Sequence, residues 1–272
     1  MEHADGSFLD HLKWGYEFSV AHYNQKSPNV LLLHSVMGVG TNFFPMRIDQ
    51  IPKLRTFISD EEYLQIQAFP SMLRLVFSDT IVPELMRATT PLSELARVDM
   101  YRVIDNQPIS MSAEDFWTAL NFQVVHLIDF LPVANWNETW TISDPYLVLY
   151  TKLFNFLKAA GRLEADVGLI PPTEGGDVGP HPELTFGSVL VSIAPSWAKW
   201  SLFTSSVKDM SAEIGHSMEY KLVWKSADTC PKVTGETCLF WCDGANADCS
   251  NTVCRCKPGL CASNGNCVPA DS

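Results

Sequence analysis

Residues 112–131 read SAEDFWTALNFQVVHLIDFL, and Pro132 follows. Ser112 offers a hydroxyl to the unpaired N–H groups of a helix start, and Glu114 and Asp115 stand where the helix dipole favours negative charge. Phe116, Leu120, Val124, Leu127, Ile128 and Leu131 then recur mostly at three- and four-residue steps, the period of an apolar helical face, until Pro132 ends the run. The stretch predicts an amphipathic core helix, and around it the chain reads as α+β with a mainly helical body.

Similar signals lie on either side. Ser59-Asp60-Glu61-Glu62 opens a helix with Tyr63, Ile66 and Ala68 on its apolar face; Pro70 is expected to interrupt it, with a helix resuming at Ser71 to Phe77. Ser143-Asp144-Pro145 supplies a cap and a proline at the first helical position, and Leu149, Leu153, Phe156, Leu157 and Ala160 follow on one face up to Gly161. Residues 168–182, GLIPPTEGGDVGPHP, read as a linker or surface loop. Beyond them Leu184–Ile193, Trp200–Val207 and Met218–Trp224 are rich in Val, Leu, Ser, Thr and aromatics and predict strands. The expected layout is a helical body over 1–167, a linker over 168–182, a β-containing segment over 183–229 packed on the body, and a disulfide-rich module over 230–272.

The 272 residues are 46% hydrophobic, enough to build a core, and 19 basic against 31 acidic side chains give a net charge of −12. Phosphate-rich partners are repelled by such a surface, so neither nucleic acid nor an anionic membrane is an expected partner. The uncharged runs between Lys26 and Arg47 and between Glu183 and Lys199 are too polar or too short to span a bilayer, which leaves peripheral contact with a membrane complex open.

All eight cysteines, Cys230, Cys238, Cys242, Cys249, Cys254, Cys256, Cys261 and Cys267, fall in the last segment. A stretch too small to bury much apolar surface, carrying an even number of cysteines, predicts a disulfide framework in an oxidising compartment. Zinc is the competing use, but zinc ribbons and fingers usually combine separated C-x₂₋₄-C pairs with histidines, and the segment has no histidine. Cys254-x-Cys256-Lys257-Pro258-Gly259, with Gly265-Asn266-Cys267, resembles the C-terminal half of an EGF-like module, Cys261 being extra to that pattern. The resemblance implies an extracellular or lumenal interaction module. Met1-Glu2-His3-Ala4-Asp5-Gly6 has no export-signal character, so the signal is expected to have been removed or to lie upstream. Asn137-Glu138-Thr139 is a candidate glycosylation triplet.

Catalytic motifs are sparse. Asn29–Leu33 reads as a strand ending in His34, but no G-x-S-x-G elbow accompanies it. Phe8-Leu9-Asp10-His11-Leu12 with Trp14, then Ser27-Pro28-Asn29-Val30-Leu31-Leu32-Leu33-His34 and the stretch to Phe57, is similar to the C-terminal half of sulfotransferases, implying a remnant without the phosphosulfate-binding loop. The plainer reading is an ordinary strand feeding a core. Seven histidines include no H-E-x-x-H and no i, i+4 pair, so a helical zinc site is not expected, and His126 reads as a satisfied core histidine. Gly38-Val39-Gly40 is no phosphate cradle, and Asp60-Glu61-Glu62 and Glu114-Asp115 read as helix caps. The sequence therefore assigns no catalytic residue, cofactor or metal ligand. It favours an extracellular or lumenal binding or accessory protein with a protein partner, the alternative being a sulfotransferase-like enzyme.

Overall fold

Ser112 caps the central helix as the sequence requires: its Oγ accepts the Asp115 N–H at 3.1 Å and donates to Asp115 Oδ2 at 2.6 Å. The computed structural model describes residues 2–3, 6–38, 42–130, 145–168, 196–225, 233–237, 246–250, 253–257, 260–263 and 266–269. Its helices are α1 (Phe8–His22), α2 (Asn29–Leu33), α3 (Ile51–Leu54), α4 (Asp60–Phe77), α5 (Ile81–Arg87), α6 (Ala113–Phe130), α7 (Pro145–Ala159) and α8 (Ser196–Glu213). Short antiparallel strands complete an α+β, mainly helical chain. The fold divides into two units, Met1–Ala88 with Val98–Lys221, and Thr89–Arg97 with Leu222–Ser272.

In the first unit α6 is the hub. It is buried from Phe116 through Ile128 because α1, α4 and α7 pack around it. Large side chains such as Trp117 and Phe122 are sealed in that core, where truncation leaves a cavity as well as lost transfer energy. Among the polar side chains buried along α6, Asn121 has a clear structural use. Asn121 Nδ2 donates to the carbonyls of Trp117 and Arg162, while Oδ1 accepts the N–H groups of Glu164 and Ala165, so all its hydrogen-bonding capacity is spent clipping the 162–165 segment to α6. That segment follows α7 through Gly161 (φ 64°), whose left-handed backbone closes the helix as its sequence position predicts.

Ser59 and Glu62 form a reciprocal capping box on α4. The helix then continues through Pro70 rather than breaking there, a correction to the sequence expectation. Pro70 and its neighbours from Ala68 to Phe77 are all buried, so tertiary packing outweighs the single ladder bond that proline removes.

Two strand expectations are also corrected. Asn29–Leu33 is the helix α2: an apolar run of five residues has no decisive period, and leucines after a proline suit a helical turn that folds His34 back on Leu31. Trp200–Val207 lies within α8, where Thr204, Ser205 and Ser206 turn their hydroxyls onto carbonyls three or four residues earlier, leaving Val207 and Ser211 as the buried stripe. Residues 169–195, which hold nearly all of the expected linker and the strand at Leu184–Ile193, lie outside the described residues, as does Asn137.

The strands of the first unit include a small hairpin of β1 (Glu2–His3) and β2 (Gly6–Ser7). β3 (Leu95–Tyr101) and β4 (Pro108–Ser112) are neighbours in a sheet, and Ile109 and Met111 alternate inward along β4. In the second unit β3 neighbours β5 (Lys221–Trp224), which matches the strand expected at Met218–Trp224. β6 (Val233–Thr237), β8 (Val253–Cys256) and β7 (Ala247–Ser250) form an antiparallel sheet in that order, and β9 (Leu260–Ser263) pairs with β10 (Asn266–Pro269). Among the described residues no helix is long and apolar enough to cross a membrane.

Candidate metal centre

Three histidines that no local spacing connects meet in the first unit. His11 comes from α1, His34 ends α2, and His126 comes from α6; they are 6%, 5% and 4% exposed, and one ring nitrogen from each lies within 4.8 Å of the others. The approach of α1 to α2 is close because Gly15 faces Leu31: a Cβ there would sit 3.4 Å from the Leu31 Cβ. The rings are mutually edge-on, with centroids 4.6–5.2 Å apart. Phe69 of α4 packs against both His34 and His126, giving the cluster an apolar wall.

Hydrogen bonds fix the protons. His34 Nδ1 lies 2.6 Å from the Leu31 carbonyl, which can only accept, so this nitrogen carries the hydrogen. His11 Nδ1 meets the carboxylate of Asp129, likewise an acceptor. In the neutral rings, both Nε2 atoms then carry lone pairs. They face each other at 3.1 Å. Two lone pairs at that distance repel unless a cation lies against both: either a proton on one ring, which makes the contact an ordinary N–H···N hydrogen bond, or a metal ion, since two ligands of a tetrahedral zinc stand about 3.3 Å apart given zinc–nitrogen bonds of roughly 2.0–2.1 Å. The three ligand atoms lie within 4.8 Å of one another, whereas two ligands of one such ion are separated by at most about 4 Å, so a third bond from His126 would require its ring to move inward.

The Asp129 contact is what a metal site adds behind a ligating histidine. A carboxylate accepting the remote ring N–H holds the imidazole's orientation and makes its other nitrogen a better donor. Asp129 lies three residues after His126, so one face of α6 supplies both a ligand and the group that orients another ligand. Three imidazoles suit zinc and its late first-row neighbours; calcium and magnesium prefer oxygen.

The sequence reading assigned no metal ligand and took His126 for a satisfied core histidine. The structure does bury His126 in the core, and packs its ring against those of His11, His34 and Phe69, neighbours that only tertiary packing unites. The spacing of His126 and Asp129 is the one local signal that pointed there. The acidic residues at helix starts do act as caps: Glu62 accepts from the Ser59 N–H, the Ser27 hydroxyl and the Asn29 amide. Burial opposes its charge, yet these donors outweigh it and hold the carboxyl down at about 2.

In the second unit Cys256 is bonded to Cys267, Cys254 is also in a disulfide, and no cysteine is free among the described residues. Cys249 and Cys261 lie on β7 and β9, while Cys230, Cys238 and Cys242 fall outside the described residues. No protein-family model matches the chain, and no curated protein or solved structure matches it at a significant level.

Proposed function

We propose that the chain is a metalloprotein of an extracellular or lumenal compartment: its helical unit holds one divalent transition-metal ion, zinc foremost, on His11, His34 and His126, and its cysteine-rich unit is an interaction module. The observation that supports this reading is the pair of facing Nε2 atoms, each with its Nδ1 proton committed elsewhere. Three protein ligands is also the number found in catalytic zinc sites, where water completes the sphere. Burial of all three rings weighs here towards retention of the ion rather than turnover at it.

The test uses the full chain produced with its disulfides formed. Stripped with chelator and titrated with zinc, it is expected to bind one equivalent saturably, and cobalt in its place is expected to give the visible bands of a low-coordinate nitrogen site. His34→Gln and His126→Gln, checked for helical content by circular dichroism, should each lose this binding. Wild-type binding no tighter than that of a folded double variant sinks the reading.

A further inference from the structure

Arg74 stands in the last turn of α4 and is 1% exposed. Its two Nη groups donate to neutral acceptors, Ser211 Oγ at 2.8 Å and Asn42 Oδ1 at 3.0 Å. Its Nε–H is sealed from solvent with no acceptor among the described residues. No carboxylate there forms an ion pair with it; Glu213 is reached only through Asn42, whose Nδ2 donates to Glu213 Oε2 at 3.1 Å. The C-terminal end of the α4 dipole offsets part of the charge. An otherwise uncompensated interior guanidinium is rare, because desolvation penalises it heavily.

A second group is held beside it. Gly215 (φ 65°) ends α8 in a left-handed turn, so that the His216 N–H returns to the Ser211 carbonyl at 2.9 Å. Asn106 pins that turn from the other side, accepting the Ser217 N–H at 3.0 Å and reaching the Gly215 carbonyl at 3.4 Å. His216 is 7% exposed, and its Nδ1 is also sealed without a partner among the described residues. Burial first, and the nearby charge of Arg74 second, hold its imidazole down at about 4. At neutral pH it is an uncharged ring with one N–H to give.

We infer that this cluster is a buried binding site for a single small monovalent anion, chloride or its halide analogues, held by the Nε–H of Arg74 with the Nδ1–H of His216 as second donor. One positive charge balances one negative charge, whereas a phosphate dianion would leave an excess in the interior. The sealed donors favour a bare ion over an organic acid, and the remaining Nη contacts fix the guanidinium so that its edge stays aimed at the ion. The site is separate from the three histidines and stands whether or not they bind metal.

The experiment dialyses the full chain into sodium gluconate and titrates it with chloride or bromide at constant ionic strength. Melting temperature should rise saturably, by roughly 5–10 °C at a hundredfold excess over Kd. Arg74→Met should abolish the rise; should that variant not fold, His216→Phe, which keeps the guanidinium, should weaken halide binding about tenfold. Crystals soaked in bromide should show an anomalous peak beside Arg74 Nε. Equal melting in gluconate and chloride, stabilisation by formate but not by halide, or bromide peaks only elsewhere would each overturn the inference.

Discussion

The Nδ1–H of His11 is directed at Oδ2 of Asp129, 118 residues later in the chain. Replacing that carboxylate by an amide keeps the side chain's size but removes the ionised acceptor that fixes which ring nitrogen bears the proton. Asp129→Asn should therefore lower zinc affinity about 10–100-fold while leaving the fold intact. Competition against a chromophoric chelator reads the loss; full affinity with native circular dichroism would show that the contact does not orient a ligand.

Asn121 carries four hydrogen bonds in the core. Asn121→Leu, which keeps the number and branching of side-chain heavy atoms, strands the Glu164 and Ala165 N–H groups and the Arg162 carbonyl, the Trp117 carbonyl keeping its helical donor, so unfolding free energy should fall by about 2–5 kcal/mol. Urea denaturation at unchanged m-value measures it. A fall below about 1 kcal/mol would mean that the 162–165 segment finds other partners.

Glu62 gives a pH signature. Its folded carboxyl titrates near 2 against an ordinary value of 4.5, so the unfolded chain binds the proton more readily. The stability it contributes is fully present above 4.5 and is lost as pH falls from there towards 2. Glu62→Gln should flatten this limb of the stability curve relative to wild type, the difference between the two chains isolating this one group. Parallel curves for the two chains over that range would refute the assignment.

Cys256 and Cys267 close a loop of sequence separation 11. The chain-entropy account assigns such a closure about 3 kcal/mol. Replacing both by alanine should raise amide exchange across residues 253–269, and reduction of the wild type should increase its mass by about one hydrogen per bonded cysteine. A native chain whose cysteines all alkylate without reductant would exclude the disulfide.

The sequence made α4, α6 and α7 readable because capping residues and a sustained 3.6-residue period agree in each. It misled where local signals were short or shared. The five residues of α2 fit strand and helix alike, Pro70 normally ends a helix unless packing holds it, and the hydroxyls of α8 look like strand residues until they fold back on their own carbonyls. The three-histidine cluster was hidden for a different reason. His11, His34 and His126 follow no common spacing, and only the docking of α1 and α2 on α6 brings their nitrogens within range.

Because Asp129 follows His11 by 118 residues, the two leave the ribosome roughly 6–24 s apart at ordinary elongation rates. Throughout that interval the nascent chain exposes two histidines without the helix that completes and orients their site. Any ion captured early would be held by only part of the final ligand set, and exchangeable. On the metalloprotein reading proposed above, selection of the ion would therefore wait until α6 has emerged.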